Sequence, residues 1–320
     1  MKRRFVLVDV FGDRPFAGNP LAVFPESDGL SDPTLQAIAR EMDHPATAFL
    51  FSSNRPGAAF ALRIFSRERE IPFAGHPALG AHFVHATESR LPLTPPVTPV
   101  AHEGPAGLFQ VELQVEGGQI GLLRLRQQPP EISRKLEPEE VSRVARALGL
   151  SEEDVQATNQ PVRVASTGLP VLIVPVSTLD TLAEARPRYG DLREITGGIS
   201  PGLGEGKEPT LVYAFTKETR ASRSAAHARA FDTIGSVEIP GAGAAAGALA
   251  AYLVSQAAVP VEPVTSLVIE QGHCLSRPST IFIEVRMKGA EIEQVTMGGR
   301  VIRVGEGALE VGEGQEAGHR

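Results

Sequence analysis

Cysteine is almost absent from this chain of 320 residues, which contains only Cys274. A single thiol excludes an intrachain disulfide and any zinc site built on paired thiolates. Such scarcity fits a reducing compartment, and we expect a cytoplasmic protein. We interpret Cys274 as a small buried hydrophobic residue rather than a nucleophile.

Clusters of basic residues interleaved with aromatics are also lacking. The formal net charge is −7, and aromatic residues make up 5% of the chain. This composition argues against a nucleic-acid partner and mainly favours solubility.

Long apolar runs are missing as well. The chain starts with a basic and then apolar stretch, but Asp9 and Asp13 interrupt it too early for a signal peptide. We therefore predict a first strand there. Residues 241–261 form the longest weakly apolar tract, which consists mostly of alanine and glycine. This composition favours a helix buried in a tight interior over a membrane span, and we expect no membrane partner.

Length and element order indicate the domain organisation. A chain of 320 residues exceeds the usual size of one domain, so we expect two. Pro129 and Pro130 mark a linker and place the boundary there. Predicted strands outnumber helices and do not alternate strictly with them, which favours an α+β fold.

Some predicted elements bear on the site. We predict helices over 77–87, 138–148 and 243–255, and a hairpin of strands 109–115 and 119–125. Residues 91–105, rich in proline and threonine, read as an exposed connection. The glycine-rich segment 197–207 lacks the spacing of a phosphate-binding loop, so we interpret it as a flexible loop that could act as a lid.

A short repeat is the most informative feature that is present. Residues 70–75 (EIPFAG) return as residues 238–243 (EIPGAG), with five of six positions identical. A run of small residues follows each copy and contains another glycine, Gly80 or Gly247. Chance could produce such a short repeat, but one copy lies in each half of the chain at the start of a helix-like segment, which favours a duplicated unit.

Each copy of the repeat is typical of a short strand, a turn and the N-terminus of a helix. If the two turns face each other, two helix N-termini point at one cleft that suits a carboxylate. We expect the backbone N–H groups of Gly75, Gly243 and Ala244 to bind the anion there.

Several segments, in order along nearly the whole chain, resemble the PhzF-like family of phenazine biosynthesis. That family shares its fold with diaminopimelate epimerases. The matching segments are 9–11 (DVF), 15–24 (PFAGNPLAVF), 72–80 (PFAGHPALG), 229–231 (RAF), 243–253 (GAAAGALAAYL), 271–272 (QG) and 277–279 (RPS).

The resemblance implies two pseudo-symmetric α+β domains, each a curved, barrel-like mixed sheet around a central helix, with the active site between them. We assign residues 1–128 and a return at about 300–320 to the first domain, and 129–299 to the second. The implied activity is isomerisation by proton transfer on a small carboxylated metabolite, with no cofactor and no metal. A homodimer is also implied.

The resemblance further implies three catalytic positions: a glutamate, the histidine of Gly-His-Pro and an aspartate. In this chain they are occupied by Ala46, His76 and Ile239. A methyl group cannot carry a proton, so only His76 can take its expected role. Glu238, beside Ile239, should point to the opposite face of its strand, and we interpret it as structural.

Two readings remain for each polar candidate. His76 can exchange a proton or bind a carboxylate, or it can cap its helix; the helix dipole should lower its pKa. Asn19 can line the site or build a turn. The sequence therefore predicts an isomerase with altered catalytic groups or, alternatively, a catalytically lapsed protein that binds a small anion.

Overall fold

A computed structural model gives the fold over residues 1–71, 75–105, 107–199, 202–203 and 208–312. The chain divides into two compact units. Unit 1 comprises Met1–Leu125 and Gly299–Arg320, and unit 2 comprises Arg126–Gly298.

Unit 1 is a mixed sheet in the order β17-β1-β2-β3-β4-β5-β6-β7. The pairs β2–β3 and β4–β5 are parallel, and the other pairs are antiparallel. Its strands are β1 (Lys2–Val10), β2 (Asn19–Phe24), β3 (Thr47–Phe51), β4 (Ala61–Phe65), β5 (Val97–Gly104), β6 (Gly107–Glu116), β7 (Gln119–Arg126) and β17 (Val301–Glu310). The hairpin predicted from residues 109–125 is confirmed as β6–β7.

Unit 2 has the order β8-β9-β10-β11-β12-β14-β15-β16, and β13 pairs with one end of β12. The pairs β10–β11 and β12–β14 are parallel. Its strands are β8 (Glu131–Lys135), β9 (Arg163–Ser166), β10 (Pro170–Pro175), β11 (Leu211–Thr216), β12 (Ala226–Asp232), β13 (Val237–Ile239), β14 (Val264–Gln271), β15 (Ser279–Lys288) and β16 (Glu291–Gly299).

The helices follow the same scheme in both units. One helical segment joins the first parallel strand pair (α1 in unit 1, α5 and α6 in unit 2), and a second joins the other pair (α2 and α7). The helices are α1 (Asp32–Met42), α2 (Gly75–His85), α3 (Pro138–Leu148), α4 (Glu152–Gln156), α5 (Leu179–Glu184), α6 (Tyr189–Gly198) and α7 (Gly243–Ser255). This shared topology supports duplication as the origin of the repeat.

The α+β class is confirmed. In the described residues neither sheet closes into a barrel. In unit 1, β2 is buried on both faces. Ala22 and Phe24 pack in a cluster with Leu35 of α1, whereas Leu21 lies against Gly80 of α2. Burial on both faces explains why this strand reads as a continuous apolar run.

The helices α2 and α7 contact several strands of their own unit. Every residue of α7 from Gly243 to Val254 is buried. A Cβ added at Gly80 would overlap Leu21, and one added at Gly247 would overlap the amide oxygen of Gln127. The two glycines that follow the repeat thus allow each helix to pack closely, against the side chain of Leu21 in unit 1 and that of Gln127 in unit 2.

Two sequence expectations are wrong, the first on residues 91–105 and the second on Cys274. Residues 91–105 are not an exposed connection, because β5 lies within them and buries alternate residues such as Thr98, Val100 and His102. The strand β8, directly after the proline pair, was not predicted. Proline content masked the period-two pattern of β5.

Cys274 is exposed rather than buried, since it lies in a short 3-10 helix (His273–Leu275) that follows β14. Of the predicted loop 197–207, residues 197 and 198 end α6. Residues 200, 201 and 204–207 lie outside the described residues, and so do residues 72–74 of the first repeat.

Candidate active site

His76 is the second residue of α2 and is 9% exposed. Burial lowers its pKa to about 3, so the imidazole is neutral at pH 7. The direction matches the sequence expectation, but the cause is loss of solvent. Nε2 has no hydrogen-bond partner among the described residues. A buried nitrogen without a partner is costly, which makes Nε2 a candidate to bind a ligand.

Gly75 and His76 open α2, where the first backbone N–H groups have no intrahelical acceptor. Pro77 follows and brings no N–H group. The start of α2 therefore offers two neighbouring amides beside the buried imidazole. The turn that precedes them belongs to the residues left undescribed.

Asn19 is fully buried at the start of β2 and pairs with Val10 of β1. Gly18 before it has φ of 74°, and a Cβ there would overlap the backbone of Gly12 and Val10. The carboxylate of Asp9 accepts a hydrogen bond of 2.6 Å from the backbone N–H of Phe16. The loop between β1 and β2 is thus fixed against β1, and it holds Asn19 in the interior.

Two non-polar residues stand where carboxyl groups were expected. Ala46 is 1% exposed and directly precedes β3. Ile239 ends β13, is half-buried and pairs with Ala230. Neither side chain can exchange a proton, so His76 is the only titratable side chain among the three positions.

In unit 2, Gly243 and Ala244 open α7, and both are buried. Their carbonyls accept hydrogen bonds from Gln127 Nε2 (3.1 Å) and Thr167 Oγ1 (3.3 Å), respectively. The first intrahelical N–H is that of Ala246, which donates to the carbonyl of Ala242 at 2.9 Å. The carbonyls of the first turn are therefore fixed, while its amides have no partner within the helix.

The turn before α7, residues 239–242, is held by a residue that sequence reasoning did not assign to the site. The side-chain amide of Gln271, which ends β14, hydrogen-bonds both ends of this turn. Its segment, Gln-Gly followed by Arg-Pro-Ser, was noticed for its resemblance only. A glutamine followed directly by glycine at the end of a predicted strand is the sequence signal that could have found it, and Gly272 has a φ of 79° in the structure.

Glu238, which the sequence suggests is structural, forms an ion pair. Both of its carboxylate oxygens accept hydrogen bonds from Arg229, at 3.0 and 2.7 Å. In unit 1, Glu70 binds Arg63 through the same guanidinium atoms at 2.8 and 2.7 Å. The repeat thus includes an Arg-x-Phe segment in β4 and β12 that precedes each glutamate, which the hexapeptide comparison missed.

His82 of α2 has a structural role. His82 Nε2 and His102 Nδ1 lie 3.0 Å apart in the interior of unit 1, and the ring of Phe60 packs on both. Within the described part of the chain, no group of three histidine, cysteine or acidic side chains is placed to bind a metal ion. No helix there is both long and apolar enough to cross a bilayer.

Comparison with known proteins gives consistent results. Residues 8–307 match the phenazine biosynthesis-like protein family PhzC-PhzF. An uncharacterised isomerase of Mesorhizobium japonicum is 30% identical over 96% of this chain and 98% of its own length. The trans-2,3-dihydro-3-hydroxyanthranilate isomerase of Pseudomonas fluorescens is 27% identical over 95% of this chain and 98% of its own.

Among solved structures, a predicted epimerase from Pseudomonas aeruginosa superposes with a TM-score of 0.81 and 31% identity. The match covers 97% of this chain and 100% of that one. Together these similarities support an isomerase-type or epimerase-type function.

Proposed function

Since this chain belongs to the phenazine biosynthesis-like PhzC-PhzF family, we propose that it is an isomerase that moves a proton within a small carboxylated metabolite without a cofactor. The named activity of the Pseudomonas fluorescens relative supports both the reaction class and the carboxylated substrate. The observation that carries the proposal is the buried imidazole of His76, whose Nε2 lacks a partner in the described residues.

His76 would act as the proton carrier. A substrate C–H bond breaks, its electron pair stays in the substrate, and Nε2 takes the proton; the imidazolium then returns a proton to another carbon. A pKa of about 3 makes the empty site a weak base. A bound carboxylate raises the pKa of a neighbouring imidazole, so substrate binding itself would increase the basicity of His76.

Backbone amides would bind the carboxylate and the charge that develops during proton transfer. The amides of Gly75 and His76 in unit 1, and those of Gly243 and Ala244 in unit 2, lie at helix starts that favour negative charge. Asn19 would add a side-chain amide in unit 1. Such donors do not depend on the side chains at positions 46 and 239.

The test is proton exchange in D2O, followed by NMR, on trans-2,3-dihydro-3-hydroxyanthranilate. The unmodified protein should incorporate deuterium, and His76→Ala and His76→Gln should lower the rate by about a hundredfold or more, as for loss of a general base. His85→Ala, on the same helix, is the matched control and should keep the wild-type rate. Equal rates for His76→Ala and wild type would reject His76 as proton carrier.

The second candidate function is small-anion binding without turnover. It is favoured by Ala46, a buried methyl group where a carboxyl was expected. This function predicts that anthranilate, which cannot undergo the reaction, binds the protein while no carboxylated compound exchanges deuterium. Exchange that disappears in His76→Ala would exclude it.

A further inference from the structure

We propose that Gln271 is a positioning residue that orients the first amides of α7 by holding the turn 239–242 from both ends. This inference rests on the proposed function for its consequence, because those amides include Gly243 and Ala244. Gln271 is fully buried, so it acts through the turn rather than by touching a ligand itself.

The hydrogen bonds of Gln271 define its orientation. Oε1 accepts from the hydroxyl of Tyr213 at 2.8 Å and from the backbone N–H of Ala242 at 3.2 Å. Nε2 donates to the carbonyl of Ile239 at 2.6 Å. The oxygen thus faces two donors and the nitrogen faces an acceptor. The reversed amide would lose all three bonds, so this network admits one orientation.

Tyr213 locks the amide from the other side. It is fully buried on β11, and burial raises its pKa, so its hydroxyl stays protonated and donates. Oε1 has two lone pairs, and Tyr213 and Ala242 occupy both. A buried network in which Oε1 has both of its donors is rigid, and loss of one member leaves a buried polar group unpaired.

A third contact comes from the same connection between β14 and β15. Ser279 Oγ donates to the carbonyl of Pro240 at 2.8 Å. Gly272 has φ of 79°, and a Cβ there would overlap the carbonyl of Arg277 and press on that of Pro240. The segment 271–279 therefore supports three of the four residues of the turn, which gives a physical role to its Gln-Gly and Ser positions.

The consequence concerns binding rather than proton transfer. Because Ala242 is the residue before α7, its position sets the direction of the N–H groups that follow. A turn that is free to move would present those groups over a range of directions, and binding of a carboxylate would pay for ordering them. We therefore expect loss of the hydrogen bonds between Gln271 and the turn 239–242 to raise KM and to leave kcat nearly unchanged.

The test compares Gln271→Met and Tyr213→Phe with Tyr252→Phe. Tyr252 is a matched control because it is also fully buried in unit 2 and its hydroxyl donates to the carbonyl of Pro161 at 2.8 Å. It lies on α7 nine residues after Gly243, roughly 14 Å along the helix axis, and does not contact the turn. Tyr213→Phe is the milder variant should Gln271→Met fold poorly.

Two measurements are made on the full chain. Hydrogen exchange by mass spectrometry should show faster exchange over residues 239–246 in Gln271→Met and Tyr213→Phe than in Tyr252→Phe. With trans-2,3-dihydro-3-hydroxyanthranilate, KM should rise about tenfold in Gln271→Met and about threefold in Tyr213→Phe, with kcat within twofold of wild type. Equal exchange in all three variants, or the same KM change in Tyr252→Phe, would overturn the proposal.

Failure of the proposed function gives a different pattern. The wild-type protein would then show neither turnover nor protection of residues 239–246 by anthranilate. Hydrogen exchange of the variants without ligand would still show whether Gln271 holds the turn. In that outcome, Gln271 holds the turn but does not position it for a carboxylate, and the inference is rejected together with the function.

Discussion

Arg229 donates hydrogen bonds from Nε and Nη2 to the carboxylate of Glu238, and the two side chains are only 7% and 11% exposed. Nη1 of the same guanidinium donates to the carbonyls of Leu182 and Ala185 at 2.9 Å, at the end of α5. The equivalent pair in unit 1, Arg63 and Glu70, has the same geometry but is 30% and 38% exposed. One motif thus occurs twice in one chain with different access to solvent.

The first prediction compares these two ion pairs. Glu238→Ala leaves a buried guanidinium without its counter-ion and should lower the free energy of unfolding by about 3–5 kcal/mol. Glu70→Ala removes a partner from a pair that water reaches, so we expect about 0–1 kcal/mol. Urea unfolding of both variants at pH 7.5 measures the difference. Equal losses would show that burial does not govern the strength of this motif.

A second prediction concerns the close approach at Gly247. Gly247→Ala should displace Gln127, break its hydrogen bond to the carbonyl of Gly243 and cost about 1–3 kcal/mol. In the double variant Gln127→Ala/Gly247→Ala the new methyl group has room. The stability losses of the single variants Gln127→Ala and Gly247→Ala should therefore add up to more than the loss in the double variant. Thermal and urea unfolding provide the double-mutant cycle. Additive losses would mean that the methyl group meets another obstacle.

A third prediction concerns pH. Burial lowers the pKa of His102 to about 4 and also lowers that of His82, so both are neutral in the folded chain at pH 7. An unfolded histidine takes up its proton near pH 6.5, well before the folded one. The contribution of these two neutral histidines to the free energy of unfolding is therefore fully present above about pH 6.5, and it is lost as the pH falls toward 4.

The double variant His82→Gln/His102→Asn tests this pH dependence, since each amide places a polar atom near the ring nitrogen that it replaces. It should be less stable than wild type at pH 7.5, but the decline between pH 6.5 and 4.5 should flatten. The limit is about 1.4 kcal/mol per pH unit for each histidine removed. An unchanged slope would assign the acid sensitivity to other groups, with His76 the next to test.

The fourth prediction concerns the two altered family positions. Ala46→Glu places a carboxyl at a site that is 1% exposed, whereas Ile239→Asp alters a half-buried residue. We therefore expect the larger loss of stability, about 2 kcal/mol or more, from Ala46→Glu. Burial raises the pKa of such a carboxyl, so this loss relative to wild type should shrink as pH falls from 7.5 to 5.

The same two variants bear on activity. If missing carboxyl groups limit the proposed proton transfer, Ala46→Glu/Ile239→Asp should increase deuterium incorporation into trans-2,3-dihydro-3-hydroxyanthranilate. Ala46→Gln/Ile239→Asn, with similar shapes and no titratable group, is the control. A rise in both variants would point to a change of pocket shape rather than to acid–base chemistry.

Much of the fold was accessible from sequence because strong local patterns agree with the tertiary structure. A Gly-Gly turn predicted the hairpin β6–β7, an apolar stripe predicted α3, and a run of small residues predicted α7. The hexapeptide repeat indicated a duplication that the pairing order of the two sheets supports. β5 was missed because Pro99 and the neighbouring prolines outweighed a weak alternation, and β8 because it follows a proline pair.

The sequence by itself determined the family, the α+β class and the non-polar residues at positions 46 and 239, since these follow from residue identity and order. Tertiary structure alone decided that His76 is neutral and lacks a partner for Nε2 in the described residues, because burial is a property of the packed chain. It also decided that Gln271 holds a turn 29 residues before it at Ala242, a contact that no local pattern encodes.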